Sequence, residues 1–224
     1  MHIIARIHND FLTKFGLPRQ SGLTDSLESY LVFEPEYRNP DALRGIEGYS
    51  HLWLIWQFHL AERAEWSPTV RPPRLGGNKR MGVFATRAPF RPNPIGLSCV
   101  KLLEVKQDPK LGPILRIAGA DMVNGTPIYD IKPYLPYVDC RPEATGGFAH
   151  EVMDHQLKVT CPDELLAKIP EEKWETLHSI LSQDPRPGYQ QDPERIYGFS
   201  YGNMEIHFSV QEDILTVCQV EIKE

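Results

Sequence analysis

The stretch HLWLIWQF, residues 51–58, decides the fold. It is rich in aromatic and β-branched side chains, a composition that is typical of a β-strand. Six further segments of the N-terminal half share this composition and are separated by turn residues, at 3–8, 30–33, 82–85, 95–105, 113–117 and 126–131. Many short strands without long crossover helices predict an all-β sheet or barrel.

One short helix is predicted in this half, from Asp41 to Glu47. Asn39 and Pro40 supply a start signal, and Gly48 supplies a stop. The helix is too short to alter the mainly β character of the first 140 residues.

The second half begins after RPEATGGFAH, residues 141–150, whose polar and glycine-rich composition is typical of a connection. A strand is predicted at 157–161, and one helix at 163–182 with Asp163 as its N-cap and Pro170 kinking or splitting it. Three strands follow at 195–201, 204–210 and 214–222, the first two joined by a turn at Gly202 and Asn203. The predicted fold is mainly β with a smaller α+β part, in domains 1–143 and 151–224.

The composition excludes several classes of protein. The 224 residues are 41% hydrophobic and 24% charged, which is ordinary globular usage and argues against disorder. No apolar run reaches the roughly 20 residues that a bilayer requires, and the N-terminus lacks a secretory signal, so a cytoplasmic protein is expected. The four cysteines form no C-x-x-C pair and are expected to be reduced, mostly buried thiols.

Positive charge is concentrated in one stretch of an acidic chain. The net charge is −6, yet residues 66–101 contain seven Lys and Arg and no Asp or Glu. The same stretch is rich in proline and glycine and contains Phe84 and Phe90. A solvated loop paired with acids elsewhere is one interpretation. A rigid, arginine-rich surface with flat apolar faces instead suits an anionic polymer such as a nucleic acid.

Common catalytic motifs are missing from the sequence. It contains no G-x-G-x-x-G, no phosphate-binding P-loop and no G-x-S-x-G. His150 and His155 are five residues apart, which points them away from each other on a helix, so no metal site is predicted. Five dense blocks remain: PRQSG (18–22), GIEGYSHLWLIWQFH (45–59), RPPRLGGNKRMGVFATRAPFRPNPIGLS (71–98), MVNGTPIYDIKPYLPY (122–137) and DPRPGY (184–189).

These blocks closely resemble the TsaA-like or YaeB family, the TrmO tRNA methyltransferases, over nearly the whole chain. GVFATRAPFRPNPIGLS is the most specific match. The resemblance implies an S-adenosylmethionine cofactor, a β-barrel methyltransferase domain unlike the Rossmann class, a small C-terminal domain and a homodimer. It also implies a reaction: methylation of the exocyclic nitrogen of threonylcarbamoyladenosine at tRNA position 37, 3′ of the anticodon.

The resemblance also implies a cofactor pocket. Carried over by motif, its residues are Gln20, Ser21, Gly22, His59, Leu60, Arg87, Leu97, Met122, Val123, Asn124 and Gly125. Ser21 and Asn124 depart from the usual family pattern, which often has proline and aspartate at these two positions. A sulfonium cofactor suits apolar or aromatic walls with a few polar groups.

Further residues are expected to bind RNA or to assist the reaction. The basic stretch supplies predicted tRNA-backbone contacts, and the DPRP turn of the small domain is expected to help complete the RNA or active site: Arg71, Arg74, Lys79, Arg80, Arg91, Asp184, Pro185 and Arg186. Asp130 is the candidate proton acceptor, although a role in holding a turn fits it equally well. The alternatives are a methyltransferase acting on another substrate and a non-catalytic module that senses the cofactor.

Overall fold

Six strands form a closed barrel in the first part of the chain. The computed structural model describes residues 1–61, 65–72, 79–152, 156–186 and 192–223. The barrel strands are β1 (Ala5–His8), β2 (Glu28–Phe33), β3 (His51–Gln57), β6 (Ile95–Asp108), β7 (Gly112–Ala118) and β8 (Pro127–Pro133), and between β3 and β6 lie the short strands β4 (Thr69–Val70) and β5 (Met81–Gly82). The pairing order is β1-β2-β7-β6-β3-β8, and β8 returns to pair with β1.

A second sheet forms from the C-terminal part of the chain. Its strands are β9 (Lys158–Thr160), β10 (Tyr197–Tyr201), β11 (Met204–Gln211) and β12 (Ile214–Ile222), in the order β10-β11-β12-β9. The helices are α1 (Pro136–Asp139), α2 (Asp163–Leu166) and α3 (Glu171–Ser182). Pro170 lies immediately before α3, so the predicted helix is indeed split in two. Pro162, not Asp163, occupies the N-cap of α2, which corrects that detail.

The apolar positions explain both sheets. Strand β3 alternates buried and half-buried residues, and its buried Leu52, Leu54 and Trp56 belong to the barrel core. A second core lies between α3 and the C-terminal sheet, around Leu177, Phe208 and Val217. The mainly β class is confirmed.

The segment between β1 and β2 connects the two cores. It leaves the barrel after His8, and Phe11 and Leu27 are buried in the C-terminal core. Polar contacts hold it there: Lys173 pairs with Asp10 at 2.8 Å, and the Thr176 hydroxyl donates to the Ser26 carbonyl at 2.9 Å. The segment therefore brings the PRQSG block against the C-terminal part.

Two local predictions were wrong. The helix predicted at 41–47 is instead a pair of 3₁₀ turns, Pro40–Leu43 and Ile46–Gly48. Gly45 separates them with a φ of +88°, a left-handed conformation that stops helix propagation. The strand predicted at 82–85 is a strand end at Gly82 followed by a 3₁₀ turn, Val83–Ala85.

All four cysteines lie in the part of the chain that the structure describes. All four cysteines are free thiols, as predicted, but Cys140 and Cys218 are exposed and the other two are half-buried. The prediction of mostly buried thiols was therefore wrong. No described helix is long and apolar enough to cross a membrane.

Candidate functional site

A broad cleft runs between the barrel and the C-terminal part. Its volume is about 1920 Å³, and its lining comes from the loop before β2, the ends of β3 and β6, the basic stretch and the turn after α3. Eleven predicted site residues line it: Gln20, His59, Leu60, Arg71, Arg80, Arg87, Arg91, Leu97, Val123, Pro185 and Arg186. The fold thus gathers in one place residues that are up to 166 positions apart, from Gln20 to Arg186.

Ser21 and Gly22 lie behind the cleft wall and hold the PRQSG loop in place. The backbone N–H of Cys99 in β6 donates to Ser21 Oγ at 3.2 Å, and Gly22 N donates to the Gly119 carbonyl at 2.9 Å. These bonds tie the loop to the ends of β6 and β7. Gln20 is thereby directed into the cleft, where its Oε1 accepts from Arg87 Nη1 at 2.6 Å.

The segment MVNGTP, residues 122–127 and called the NGTP turn below, is likewise anchored from behind. Asn124 Oδ1 accepts from Asn9 N at 3.1 Å, and Asn9 Nδ2 donates to the Met122 carbonyl at 2.8 Å. Gly125 N donates to the Ile7 carbonyl at 2.8 Å. Met122 is fully buried, so of these four predicted cofactor residues only Val123 reaches the cleft.

Asp121 is a site residue that sequence reasoning missed. Its partly buried carboxylate lines the cleft and accepts from Ser98 Oγ at 2.5 Å, while Trp56 Nε1 donates to the same hydroxyl at 2.9 Å. Burial raises the pKa of Asp121, and the Ser98 hydrogen bond and the Arg87 charge oppose that rise. The sequence feature that could have indicated Asp121 is its position as the single acid in the otherwise apolar run GADMV, residues 119–123.

The Trp56 ring forms an apolar wall of the cleft. It is almost fully buried and contacts Phe58, with ring centroids 4.2 Å apart. The ring packs directly on Gly96 of the paired strand β6, where a Cβ atom would lie 2.2 Å from the ring. Only glycine leaves room for the indole at this position.

The basic stretch lies along the rim. Arg71, Lys79 and Arg80 are exposed, and Arg91 is half-buried with its Nη1 donating to the Thr86 and Ala88 carbonyls at 3.0 and 3.3 Å. Arg91 therefore braces its own loop. The predicted contact Arg74 lies outside the described residues.

The described part of the DPRP turn, residues 184–186, is held tightly against the PRQSG loop. The Arg186 guanidinium makes a bidentate pair with the Asp184 carboxylate, at 2.8 and 2.9 Å, and both side chains are less than 20% exposed. Arg19 Nη2 donates to the carbonyls of Asp184 and Arg186, each at 2.8 Å. The turn thus closes one end of the cleft through a fixed arginine network.

Asp130 does not lie on this cleft. It belongs to β8 opposite Ile55, its side chain is 46% exposed, and it pairs with Lys132 at 2.9 Å. Its Oδ1 also accepts from the Ile131 N–H at 2.9 Å. The geometry gives no support to Asp130 as a proton acceptor. Within the described ranges, no three His, Cys, Asp or Glu residues form a group that could hold a metal ion.

Comparison with known proteins identifies the family. The family models for the N-terminal domain of tRNA-methyltransferase O and the TrmO C-terminal domain match residues 6–140 and 154–223. The tRNA (adenine(37)-N6)-methyltransferase of Escherichia coli K12 is 43% identical over 197 residues, which cover 85% of this chain and 83% of that protein. A putative S-adenosylmethionine-dependent methyltransferase of Pseudomonas aeruginosa is 36% identical over 226 residues, covering 97% and 95% of the two chains.

Comparison with solved structures supports the same family. A crystal structure of TrmO from Pseudomonas aeruginosa superposes with a TM-score of 0.79 at 31% identity, covering 99% of this chain and 97% of that one. The match therefore includes both the barrel and the C-terminal sheet. From its sequence, its fold and the motifs gathered at its cleft, this chain belongs to the tRNA-methyltransferase O (TrmO) family.

Proposed function

We propose that this protein transfers a methyl group from S-adenosylmethionine to the exocyclic nitrogen of an adenosine in tRNA, with the substrate being threonylcarbamoyladenosine at position 37. Membership of the TrmO family makes it an S-adenosylmethionine-dependent tRNA adenine-N6 methyltransferase. The observation that carries the finer proposal is one cleft that combines an aromatic and acidic wall with an arginine-rich rim.

The residues of the cleft fit this cofactor. Trp56, Phe58 and Leu97 provide apolar surface for an adenine ring, and Gln20 and Arg87 provide polar groups at the mouth. Asp121 is the sole carboxylate among the described lining residues. An acid beside an aromatic ring suits a ligand that carries positive charge.

We assign Asp121 to holding the positive charge of the cofactor. A cation beside Asp121 favours the ionised carboxylate and offsets the rise in pKa that burial causes. Ser98 and Trp56 fix the carboxylate through a chain of hydrogen bonds, so it is oriented before the cofactor binds. Loss of the Asp121 charge is therefore expected to weaken cofactor binding more than it slows the chemical step.

Methyl transfer depends above all on how the target nitrogen is placed relative to the methyl group. Bound S-adenosylmethionine supplies an electrophilic methyl group attached to a good leaving group. The protein must hold the target nitrogen in line with that methyl, and such orientation contributes roughly 7 to 11 kcal/mol to lowering the barrier. Residues fixed from behind, such as Gln20 on its anchored loop and Val123 on the NGTP turn, are suited to that positioning role.

The rim is proposed to hold the tRNA backbone. Arg71, Lys79 and Arg80 are exposed at or near the mouth of the cleft, and no carboxylate occurs between residues 66 and 101. Guanidinium groups bind phosphates bidentately, so this surface is expected to give salt-dependent affinity. Arg186 remains a predicted RNA contact, although two of its guanidinium nitrogens already bind Asp184.

The test is transfer of a labelled methyl group to tRNA. Purified tRNA with and without the threonylcarbamoyl group is incubated with the protein and labelled S-adenosylmethionine, and the labelled nucleoside is identified by mass spectrometry. Label on the modified adenosine alone supports the proposal. Label on unmodified tRNA contradicts the substrate, and cofactor binding without any transfer favours a sensing module instead.

We propose three further properties of the protein from its sequence. The first is the division into domains 1–143 and 151–224; residues 11–27 pack with the C-terminal core, so separated pieces are expected to lose a shared interface. The second is a homodimer, which light scattering on the purified protein would test. The third is a cytoplasmic location, which suits a tRNA substrate.

A further inference from the structure

We propose that Trp66 and Phe84 form an aromatic platform at the rim of the cleft, on which an unpaired base of the RNA stacks. The inference rests on the proposed function, because it assumes that the substrate is a nucleic acid. It adds a binding site for a nucleotide other than the one that is methylated. We call Trp66 and Phe84 the rim platform.

The two rings are exposed and already aligned. Their centroids are 6.1 Å apart and their planes differ by 27°, a stacked arrangement. Trp66 is 52% exposed and Phe84 is 73% exposed. Their mutual contact therefore leaves much of both rings open to solvent, and a flat π-face in solvent is the surface on which a base stacks.

A small rigid element carries the platform. Strands β4 and β5 pair through Thr69 with Gly82, and the Val83 N–H donates to the Pro68 carbonyl at 2.9 Å. Val83 is 1% exposed and anchors the turn from which Phe84 projects. Because these contacts fix the backbone next to Phe84, stacking on its ring requires little ordering of the protein.

The position of the platform favours RNA as the occupant. Phe84 lines the large cleft together with Arg71 and Arg80, and Trp66 lines an adjoining depression of about 480 Å³ that also includes Arg91. Aromatic rings interleaved with cationic side chains are the pattern that binds single-stranded nucleic acid.

The first experiment measures the KM for tRNA. Phe84→Leu keeps the apolar volume but removes the π-face, so we expect the KM for tRNA to rise roughly 5- to 150-fold, the range for losing one stacked base. Phe84→Tyr restores a ring and is expected to recover most of that loss. The KM for S-adenosylmethionine should change much less than the KM for tRNA in either variant, because the adenine ring is assigned to Trp56, Phe58 and Leu97 and not to Phe84.

The second experiment detects the stacking directly. A base stacked on Trp66 quenches its fluorescence, so titration with an anticodon stem-loop RNA should lower the emission of the wild-type protein. Trp66→Phe is expected to abolish most of this quenching. Trp174→Phe is the matched control, because Trp174 lies on α3 against the C-terminal core, away from the rim, and its loss should leave the quenching intact.

The outcomes separate this inference from the proposed function. An unchanged KM for tRNA in Phe84→Leu, or quenching as large in Trp66→Phe as in the wild type, overturns the rim platform while leaving methyl transfer standing. Some residual quenching is expected from Trp53 and Trp56, which line the cleft. Quenching that is lost in Trp66→Phe supports the platform even if the wild-type protein methylates no tRNA. A wild-type protein that methylates no tRNA would contradict only the proposed reaction.

Discussion

Replacing Gly96 with alanine is expected to disrupt the wall of the cleft from within the barrel. An added Cβ would lie 2.2 to 2.6 Å from three atoms of the Trp56 ring, closer than side-chain atoms approach one another. Since Trp56 is buried in the barrel core, its ring cannot move away from an added Cβ without disturbing its packed neighbours. The ring must therefore shift, and its hydrogen bond to Ser98 is expected to break.

The size of the effect follows from these contacts. Overpacking a close-packed core costs about 1–3 kcal/mol. Losing a buried hydrogen bond costs about 1 kcal/mol more. We therefore expect Gly96→Ala to reduce the free energy of unfolding by roughly 2–4 kcal/mol, and to raise the KM for S-adenosylmethionine because Ser98 also orients Asp121.

Urea unfolding followed by circular dichroism measures the change, and Gly48→Ala is the control. A Cβ at Gly48 meets no atom within 4 Å, so that variant should remain close to the wild type. Combining Gly96→Ala with Trp56→Phe relieves the clash, so the double variant should be more stable than the sum of the two single effects indicates. Wild-type stability of Gly96→Ala, or strict additivity in the double variant, would refute this account of the wall.

Other predictions concern the acids and the rim. Asp121→Asn is expected to raise the KM for S-adenosylmethionine about 10- to 100-fold, because the cofactor loses a charged hydrogen-bond partner, and to change kcat less. A large fall in kcat with little change in this KM would argue against a cofactor-holding role. Because burial raises the pKa of Asp121, the folded state is favoured while this acid is protonated. Its contribution to stability should therefore decline as the pH rises above about 4 towards the raised pKa, and urea titrations should show no such decline in Asp121→Asn. Asp130→Asn should leave kcat close to the wild-type value, since Asp130 lies off the cleft; a large fall in kcat at unchanged cofactor affinity would restore it as the base. Arg80→Ala should lower the slope of log affinity for tRNA against log salt by up to about 0.9, and an unchanged slope would remove Arg80 from the phosphate contacts.

Strand composition predicted strands of both the barrel and the C-terminal sheet well. Aromatic and β-branched runs mark β3 and β12, and the structure has strands at both places. Boundaries were less accurate where a turn interrupts the run. At Val83 the sequence is β-like, but its N–H bonds to Pro68 across the short sheet and the chain turns into a 3₁₀ conformation. Tertiary hydrogen bonding of this kind cannot be read from local composition.

The site was predicted in outline only. Motif resemblance located the loops around the cleft, but it did not separate residues that face the cleft from those that hold the loops from behind. Ser21 and Asn124 are of the second kind, since their side chains accept hydrogen bonds from the backbone of Cys99 and Asn9. Asp121 escaped notice because its role depends on Ser98, which lies 23 positions earlier and is brought beside it by the barrel.

The C-terminal part contributes to the cleft by fixing the PRQSG loop. Phe15 packs edge-on against Phe199 of β10, with centroids 6.3 Å apart, which anchors the start of the loop to the second sheet. Arg19 binds the carbonyls of Asp184 and Arg186 at the other end. The C-terminal core therefore helps to hold Gln20 in place for its hydrogen bond with Arg87. A loosened C-terminal sheet should impair cofactor binding in the barrel, although no strand of that sheet lines the cleft.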